Sequence, residues 1–191
     1  MGEPRVPMLS IDEARKVAAE MNVSEQIAEL CVFRVLLRQP KLAKRVNDLL
    51  MSLLFGSALD MRLRELIIMR LGWETGSVYE WTQHWRVALQ LGVEEADLLA
   101  VRDWRSHAHW SDRDRAILAA TDETIANGAI SAETWAECAK HLPTHEEQLE
   151  LVGAIGTWRM ISGILQSLEV PLEEGVAPWP PDGQGPAAGG A

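Results

Sequence analysis

Three polar side chains follow one another at helical spacing near the middle of the chain: Ser77, Glu80 and His84. Offsets of three and seven residues place all three along one face of a helix. A further acid, Glu65, lies in the preceding apolar segment, where a carboxylate is rarely buried without a partner. Two acids and an imidazole in a poorly solvated setting acquire separated pKa values, so this set could transfer protons near neutral pH.

His84 is the candidate general acid/base of this set. We expect either Glu65 or Glu80 to orient the imidazole and stabilise its protonated form, while the other carboxyl, if desolvated, stays protonated as a donor. The hydroxyls of Ser77 and Tyr79 are candidate substrate-binding groups. A structural alternative stays open, because Ser77-x-x-Glu80 is also the pattern of a capping box at a helix start.

Arg159 is a further candidate, because it is the one cation in the apolar centre of a helix predicted from residue 146 to residue 168. A cation in such a setting is usually paired with a buried acid, and Glu65 could be that partner. The alternative is that Arg159 binds a substrate carboxylate. The sequence favours the pairing over the substrate role.

The elements that must position these residues are all predicted to be helices. The segment from residue 60 to residue 74 is apolar on nearly every side, which is typical of a helix buried all round. Gly76 ends it, and a second helix from residue 77 to residue 91 carries the polar set. Capping boxes, prolines and glycines divide the remainder into further helices, and no strand pattern is found. We therefore predict an all-α fold, a compact bundle of about eight helices.

The chain length suits one helical domain, predicted over residues 10–172 after an extended arm at residues 1–9. Residues 173–191 are rich in proline and glycine and are expected to form a tail, with Trp179 as its anchor and a neighbouring subunit as one candidate for the surface it binds. Eight tryptophans, together with helices that are apolar on every side, are more than one small core should need. A homo-oligomer is therefore expected.

Net charge and cysteine use limit the partners and the compartment. A formal net charge of −10 argues against non-specific binding to nucleic acid or to an anionic membrane. The sequence has no apolar run of membrane-spanning length, and its first residues lack the apolar core of a signal peptide. Cys31 and Cys138 are far apart and lie in predicted helices, where free cysteines are usually inert. We expect a cytoplasmic protein with a small-molecule substrate.

No cofactor is predicted. His107 and His109 could suggest a metal site, but alternate residues of an extended chain point apart and no third ligand is near in the sequence. The sequence also lacks a Gly-rich phosphate loop. We therefore expect side chains alone to carry any reaction.

Glu65, the segment GSVYEWTQH and a helix that ends in Leu-Gly-Val together resemble the carboxymuconolactone decarboxylase family, which includes the alkyl hydroperoxidase D branch. The resemblance covers roughly residues 30 to 172, through FRVLLRQPKL before the motif and DRAILAATDETIANGAISAETWAE and QLELVGAIGTWRMISGIL after it. It implies the alkyl hydroperoxidase D-like fold and an assembly that is a dimer, trimer or hexamer.

The redox branch of this family carries a glutamate, a Cys-x-x-Cys pair and then a histidine, at positions that fall here on Glu65, Ser77, Glu80 and His84. Both thiols are absent, and a hydroxyl cannot cycle through sulfenic acid as a thiolate does. The chain therefore resembles the non-redox branch. That resemblance implies cofactor-free lyase or isomerase chemistry on a small organic acid or lactone.

Two alternatives stay open for the function. Peroxide reduction, an activity often attached to the family, would need Cys31 or Cys138 in the pocket. A non-catalytic helical oligomer would use the polar residues only as caps and buried pairs, and no pocket would then open beside His84.

Overall fold

The computed structural model describes residues 3–187, and every regular element in that range is helical. These residues form ten α-helices and one short 3-10 helix, so the predicted all-α class is confirmed. Within the described range the chain divides into two units, one made of residues up to 55 with 163–176 and the other of residues 56–162 with those from 177 onward. The single domain over residues 10–172 stays a prediction, and residues 1–2 of the arm and 188–191 of the tail lie outside the described range.

The first unit contains four complete helices: α1 (Ile11–Glu20), α2 (Glu25–Glu29), α3 (Cys31–Leu36) and α4 (Pro40–Leu54). Ser10 begins α1 with a complete capping box, in which its side chain accepts from the backbone of Glu13 and the Glu13 carboxylate accepts from the backbone of Ser10. Leu30 adopts an extended conformation (φ −62°, ψ 136°) and separates α2 from α3. Pro40 opens α4 in the first turn, where its missing N–H costs nothing.

The second unit contains the predicted site residues. Its elements are α5 (Met61–Glu74), α6 (Val78–Gln90), α7 (Glu95–Ala100), a 3-10 helix (Val101–Ser106), α8 (Asp112–Asn127), α9 (Ala132–His141) and most of α10 (His145–Ser167). Every residue of α5 from Leu63 to Gly72 is buried, as expected for a helix that is apolar on all sides. Helices α6 and α8 both pack against α5.

A tight turn connects α5 to α6 and fixes how closely the two helices approach. Gly76 has a positive φ of 68°, and its N–H donates to the carbonyl of Trp73 (3.1 Å). The N–H of Ser77 donates to the carbonyl of Gly72 (2.8 Å), which completes the Schellman pattern that ends many helices at a glycine. A Cβ on Gly72 would lie 3.0 Å from the backbone nitrogen of Trp81, so this close approach requires glycine.

The carboxyl-terminal residues 179–185, here called the strap, fold back onto the second unit. The Trp81 indole N–H donates to the carbonyl of Pro180 (2.8 Å), and the Trp179 backbone N–H donates to the Thr82 hydroxyl (3.2 Å). The centroid of the Trp179 ring lies 6.0 Å from the centroid of the Trp73 ring. Trp179 thus anchors the tail on tryptophans of its own chain, and its contact with a neighbouring subunit stays a prediction.

None of the described helices combines the length and the apolar character that crossing a bilayer requires.

Candidate functional site

Glu65 of α5 and His84 of α6 form the centre of the site. Oε2 of Glu65 lies 2.8 Å from Nδ1 of His84, and the Glu65 side chain has no exposed surface. The guanidinium of the neighbouring Arg64 lies on the other side, with Nη2 3.2 Å from Oε1 of Glu65. The buried carboxylate is thus paired with two groups, which is how a charge can be retained away from water.

Trp158 of α10 completes the surroundings of the imidazole. Its indole Nε1 lies 3.2 Å from Nε2 of His84, and the two rings meet edge to face with centroids 5.8 Å apart. An indole nitrogen can only donate, so Nε2 of His84 must accept. The imidazole proton of this arrangement therefore sits on Nδ1, where it is donated to Glu65. This tautomer leaves a basic lone pair on Nε2.

Glu80 lies one helical turn before His84 and has a different environment from Glu65. Its side chain is nearly fully buried, and its Oε2 lies 3.8 Å from Nε2 of His84. Burial raises the pKa of Glu80 to about 7; the Glu65 carboxylate adds to the increase and His84 opposes it. Glu80 therefore carries its proton through much of the range below neutral pH.

The pKa values of Glu65 and His84 move apart because the two residues form a pair. Burial alone would raise the pKa of Glu65, but His84 and then Arg64 outweigh it and hold the value below the ordinary one. Burial also acts to lower the pKa of His84, whereas Glu65 and more weakly Glu80 raise it above the ordinary value. The site thus combines an ionised carboxylate, an imidazole and a largely protonated carboxyl, the separation expected of acid/base groups.

Ser77 does not serve as the side-chain cap of α6. It occupies the N-cap position, yet its side chain makes no capping hydrogen bond. Its Oγ is buried and has no hydrogen-bond partner among the described residues, whereas Ser10 and Ser111 each complete a capping box at the starts of α1 and α8. The capping-box alternative for Ser77 and Glu80 is therefore wrong. A buried hydroxyl without a partner costs about 1–3 kcal/mol, so its retention is consistent with a ligand-binding role.

Of the two other predicted substrate-binding residues, Tyr79 stays a prediction and Arg159 lies away from this cluster. Tyr79 is buried two residues after Ser77, and residues two apart on a helix face different sides. Arg159 is exposed on α10 and donates to the carbonyl of Thr124 (2.8 Å). The pairing of Arg159 with Glu65 is wrong, because His84 and Arg64 already pair with the acid and the arginine is exposed to solvent.

Both cysteines are buried, and both have thiol pKa values above the ordinary one. Cys31 lies in the first unit, where burial raises the pKa of its thiol. Cys138 lies in α9, its sulfur donates to the carbonyl of Ala116 (3.4 Å), and burial raises its pKa to about 11. Both thiols are therefore held in the protonated, poorly nucleophilic form.

Trp158 and Arg64 are the two neighbours of the cluster that the sequence did not reveal. Trp158 lies in a helix that is apolar along its centre, so its indole was indistinguishable from core. Arg64 stood next to Glu65, but adjacent residues on a helix do not normally face each other. The signal that could have identified it is a cation inside an otherwise buried helix.

Comparisons with known proteins agree with the fold and the motif. A crystal structure from Ralstonia eutropha, described as the alkylhydroperoxidase AhpD core of an uncharacterized peroxidase-related protein, superposes with a TM-score of 0.72 at 14% identity, covering 91% of this chain and 94% of that one. The debrominase Bmp8 in complex with 2,3,4-tribromopyrrole gives a TM-score of 0.69 at 16% identity, covering 88% and 91%. A peroxidase-related protein from Silicibacter sp. gives 0.70 at 14%, covering 92% and 95%.

The superpositions establish the shared fold alone, and the family is indicated by a match of the sequence to a family model. No curated protein matches the chain. The model of the carboxymuconolactone decarboxylase family matches residues 40–123, a range that contains Glu65, Ser77, Glu80 and His84. The stretch from residue 40 to residue 123 therefore belongs to the carboxymuconolactone decarboxylase family, in a chain whose fold is that of the AhpD-like proteins.

Proposed function

We propose that the protein is a cofactor-free acid/base enzyme, a lyase or isomerase that acts on a small organic acid or lactone. The observation that supports this most directly is the chain of contacts from Glu65 to Nδ1 of His84, with Glu80 beside Nε2. It links an ionised carboxylate, a basic nitrogen and a protonated carboxyl, and no thiol lies among them. Such a set moves protons and has no group that undergoes redox change.

In the proposed mechanism, Nε2 of His84 removes a proton from a carbon next to the substrate carbonyl. The Glu65 carboxylate accepts the hydrogen bond from Nδ1–H and stabilises the imidazolium that forms. The protonated Glu80 donates its proton to the product carbon or to the enolate oxygen. The Glu80 carboxylate then regains a proton from Nε2 of His84, 3.8 Å away, and the resting state is restored.

Ser77 and Trp158 have supporting roles in this proposal. The Ser77 hydroxyl, buried without a partner, donates to a substrate oxygen. The Trp158 indole holds Nε2 of His84 as an acceptor before substrate binds and releases it when the proton is transferred. Arg159 is not part of the proposed mechanism, because it is exposed and donates to the carbonyl of Thr124. Tyr79 is assigned no step in it.

Proton transfer can be tested before the natural substrate is known. Small lactones and keto acids are incubated with the protein in D₂O, and ¹H NMR follows the exchange of the hydrogens next to the carbonyl. We expect catalysed exchange of at least one compound and a loss of roughly a hundredfold or more in His84→Gln, because general acid/base catalysis typically contributes that much. Glu133→Gln, at an exposed position of α9, is the matched control.

The result that contradicts the proposal is equally specific. If His84→Gln retains the helical circular dichroism spectrum and still exchanges every accepted compound at the original rate, His84 is not the acid/base. The cluster would then be a buried structural pair, as in the non-catalytic alternative.

Peroxide reduction is the second candidate, because two structural relatives are described as peroxidase-related. It has less support in this chain, since both thiols are buried and their pKa values are raised. Peroxide consumption that disappears in Cys31→Ser or Cys138→Ser would favour it. Buried free thiols also support the proposed cytoplasmic setting, where cysteines stay reduced.

Assembly into a homo-oligomer is also proposed. Helix α10 presents an exposed apolar row at Leu149 (73% exposed), Val152 (49%) and Met160 (42%). Positions 149, 152 and 160 lie on one side of a helix, and exposed apolar rows of this kind mark contact surfaces. Light scattering of the protein and of Val152→Glu tests the proposal, which predicts a smaller assembly for the variant.

A further inference from the structure

Arg64 is a buried cation whose pairing with Glu65 stays within α5. Its side chain is only 4% exposed, and it binds the carboxylate of the residue next to it in the chain. Arg62 and Arg70 of the same helix each pair instead with an acid of α8, at 2.7 and 2.6 Å, which ties two helices together. A buried ion pair is by itself weak evidence for stability. The effect of the Arg64–Glu65 pair therefore falls on the acid/base cluster that contains Glu65.

The two oxygens of the Glu65 carboxylate are divided between Arg64 and His84. Nε and Nη2 of Arg64 donate to Oε1, at 3.3 and 3.2 Å, whereas Nδ1 of His84 lies 2.8 Å from Oε2. The guanidinium and the imidazole thus share one negative charge without competing for the same atom. Because a guanidinium is not deprotonated in proteins, Arg64 is a fixed cation beside this carboxylate.

This fixed cation determines which protonation state of the buried pair is uncompensated. Arg64 and Glu65 together have no net charge, so a proton added to His84 leaves one positive charge without a partner. Without Arg64, a neutral imidazole would leave the Glu65 carboxylate as an unpaired anion, and a proton shared by Glu65 and His84 would remove that charge. Unpaired charge is the costly state away from water. Arg64 therefore favours the neutral imidazole, wherever within the pair the competing proton would lie.

The electrostatic neighbours of His84 are Glu65 and Arg64 from α5 and Glu80 from its own helix. Burial lowers the pKa of His84, Glu65 and then Glu80 raise it above the ordinary value, and Arg64 limits that rise. From α10 the imidazole meets the neutral indole of Trp158, whose N–H points to Nε2. Nε2 can accept this hydrogen bond only when it carries no proton. The contact with Trp158 therefore agrees with a neutral imidazole.

Charged residues on the neighbouring elements are engaged elsewhere. Asp114 and Asp122 of α8 bind Arg62 and Arg70. Arg159 of α10 is exposed and donates to a backbone carbonyl. The balance of charge at the imidazole is thus set within α5 and α6.

We propose that Arg64 is a positioning residue, which balances the charge of Glu65 and so keeps the resting imidazole of His84 neutral and able to accept a proton. The proposal rests on the proposed function for the use of that base in catalysis. The protonation state itself can be measured without any substrate. In this arrangement Glu65 orients the base, and Arg64 sets the pH above which the base is available.

NMR titration of the imidazole carbons in the full chain measures this protonation directly. The chain has five histidines, and the resonance that disappears in His84→Gln is that of His84. Arg64→Gln keeps a side-chain donor but removes the cation, so the pKa of His84 should rise by about one unit or more, a shift typical of the loss of a neighbouring charge. The same titration in the Glu80→Gln background excludes ionisation of Glu80 as the origin of the shift.

Further variants separate the charge of Arg64 from its packing. Arg64→Lys keeps a cation and should stay closer to the wild-type pKa of His84 than Arg64→Gln does. Arg62→Gln removes an arginine with two acid partners from the same helix and should leave the pKa of His84 unchanged. Circular dichroism checks that each variant is folded, and Arg64→Met takes the place of Arg64→Gln if the latter does not fold. A purely structural arginine would change stability without changing the pKa of His84.

The titration and the exchange assay have separate outcomes. If the proposed function is correct, the acidic limb of the pH profile for hydrogen exchange should move to higher pH in Arg64→Gln by the same amount as the pKa of His84. A pKa that stays the same or falls on loss of the cation, or that rises as much in Arg64→Lys, would overturn the proposal about Arg64. A raised pKa together with exchange that survives in His84→Gln would instead leave it standing and refute the proposed function.

Discussion

Glu80→Gln tests whether the folded protein holds the Glu80 carboxyl neutral. Burial raises the pKa of this group from 4.5 to about 7. Because one pKa unit is worth about 1.4 kcal/mol, the difference between the two values corresponds to about 3 kcal/mol. The side chain is almost fully buried, so solvent screening does little to reduce the free-energy cost of ionising it. Glutamine has nearly the shape of the protonated acid and does not titrate.

The direction in which the free energy of unfolding changes with pH follows from which state, folded or unfolded, binds more protons. In the unfolded chain Glu80 ionises around pH 4.5, whereas in the folded protein it keeps its proton until about pH 7. The folded state therefore binds more protons in that window, and the free energy of unfolding falls as the pH rises through it. Below pH 4.5 wild type and Glu80→Gln should be equally stable. Above pH 7 the variant should be more stable than the wild type by about 3 kcal/mol.

Urea unfolding followed by circular dichroism at pH 4.5, 5.5, 6.5 and 8 measures this difference. Glu133→Gln, at an exposed position, controls for the loss of one surface charge. The reasoning is refuted if wild type and Glu80→Gln differ by the same amount at every pH. The reasoning is also contradicted if the variant loses stability relative to the wild type as the pH rises, because Glu80 would then stabilise the folded protein as a carboxylate.

Three further predictions concern the site and the buried thiol of Cys138. Trp158→Phe removes the donor to Nε2 of His84 and should raise the pKa of His84 further, by the worth of one hydrogen bond, about 1 kcal/mol; NMR titration of the imidazole carbons would detect it, and an unchanged or lower pKa would contradict it. Cys138 should resist alkylation by iodoacetamide at pH 8 until urea unfolds the protein, because its pKa is about 11; rapid labelling of the native protein would contradict this. Ser77→Cys with Glu80→Cys should introduce peroxide consumption, measured by peroxide loss, that neither single variant shows.

The helices were predictable from the sequence because each carries its own local signals. The all-round apolar character of α5 predicted burial on every side, and its residues from Leu63 to Gly72 are buried. The glycine at position 76 predicted the break before α6. The closeness of Glu65 and His84 was also within reach, since a buried acid needs a partner and the next helix offered an imidazole.

Other features of the site depend on tertiary packing that local patterns do not encode. Ser77 and Glu80 match the capping box as well as Ser10 and Glu13 do, yet only the latter pair forms it. The backbone differs at the two N-caps, since Ser77 has a ψ of 91° whereas Ser10 has a ψ of 160°. The apolar sequence around Arg159 suggested that it is buried and paired with Glu65, but its position along α10 directs it to solvent.

The exchange of two thiols for Ser77 and Glu80 changes what the same pair of helices can do. In the redox pattern the acid and imidazole would activate a cysteine thiolate, whereas the groups at those positions beside Glu65 and His84 are here a hydroxyl and a second carboxyl. Placing that carboxyl near Glu65 makes it costly for both to be ionised, so burial and repulsion leave Glu80 protonated. A buried glutamate at this position is thus unfavourable for stability above neutral pH and useful for donating a proton. Since the stability cost and the proposed proton donation come from the same raised pKa of Glu80, unfolding and exchange measurements on Glu80→Gln examine two consequences of one arrangement.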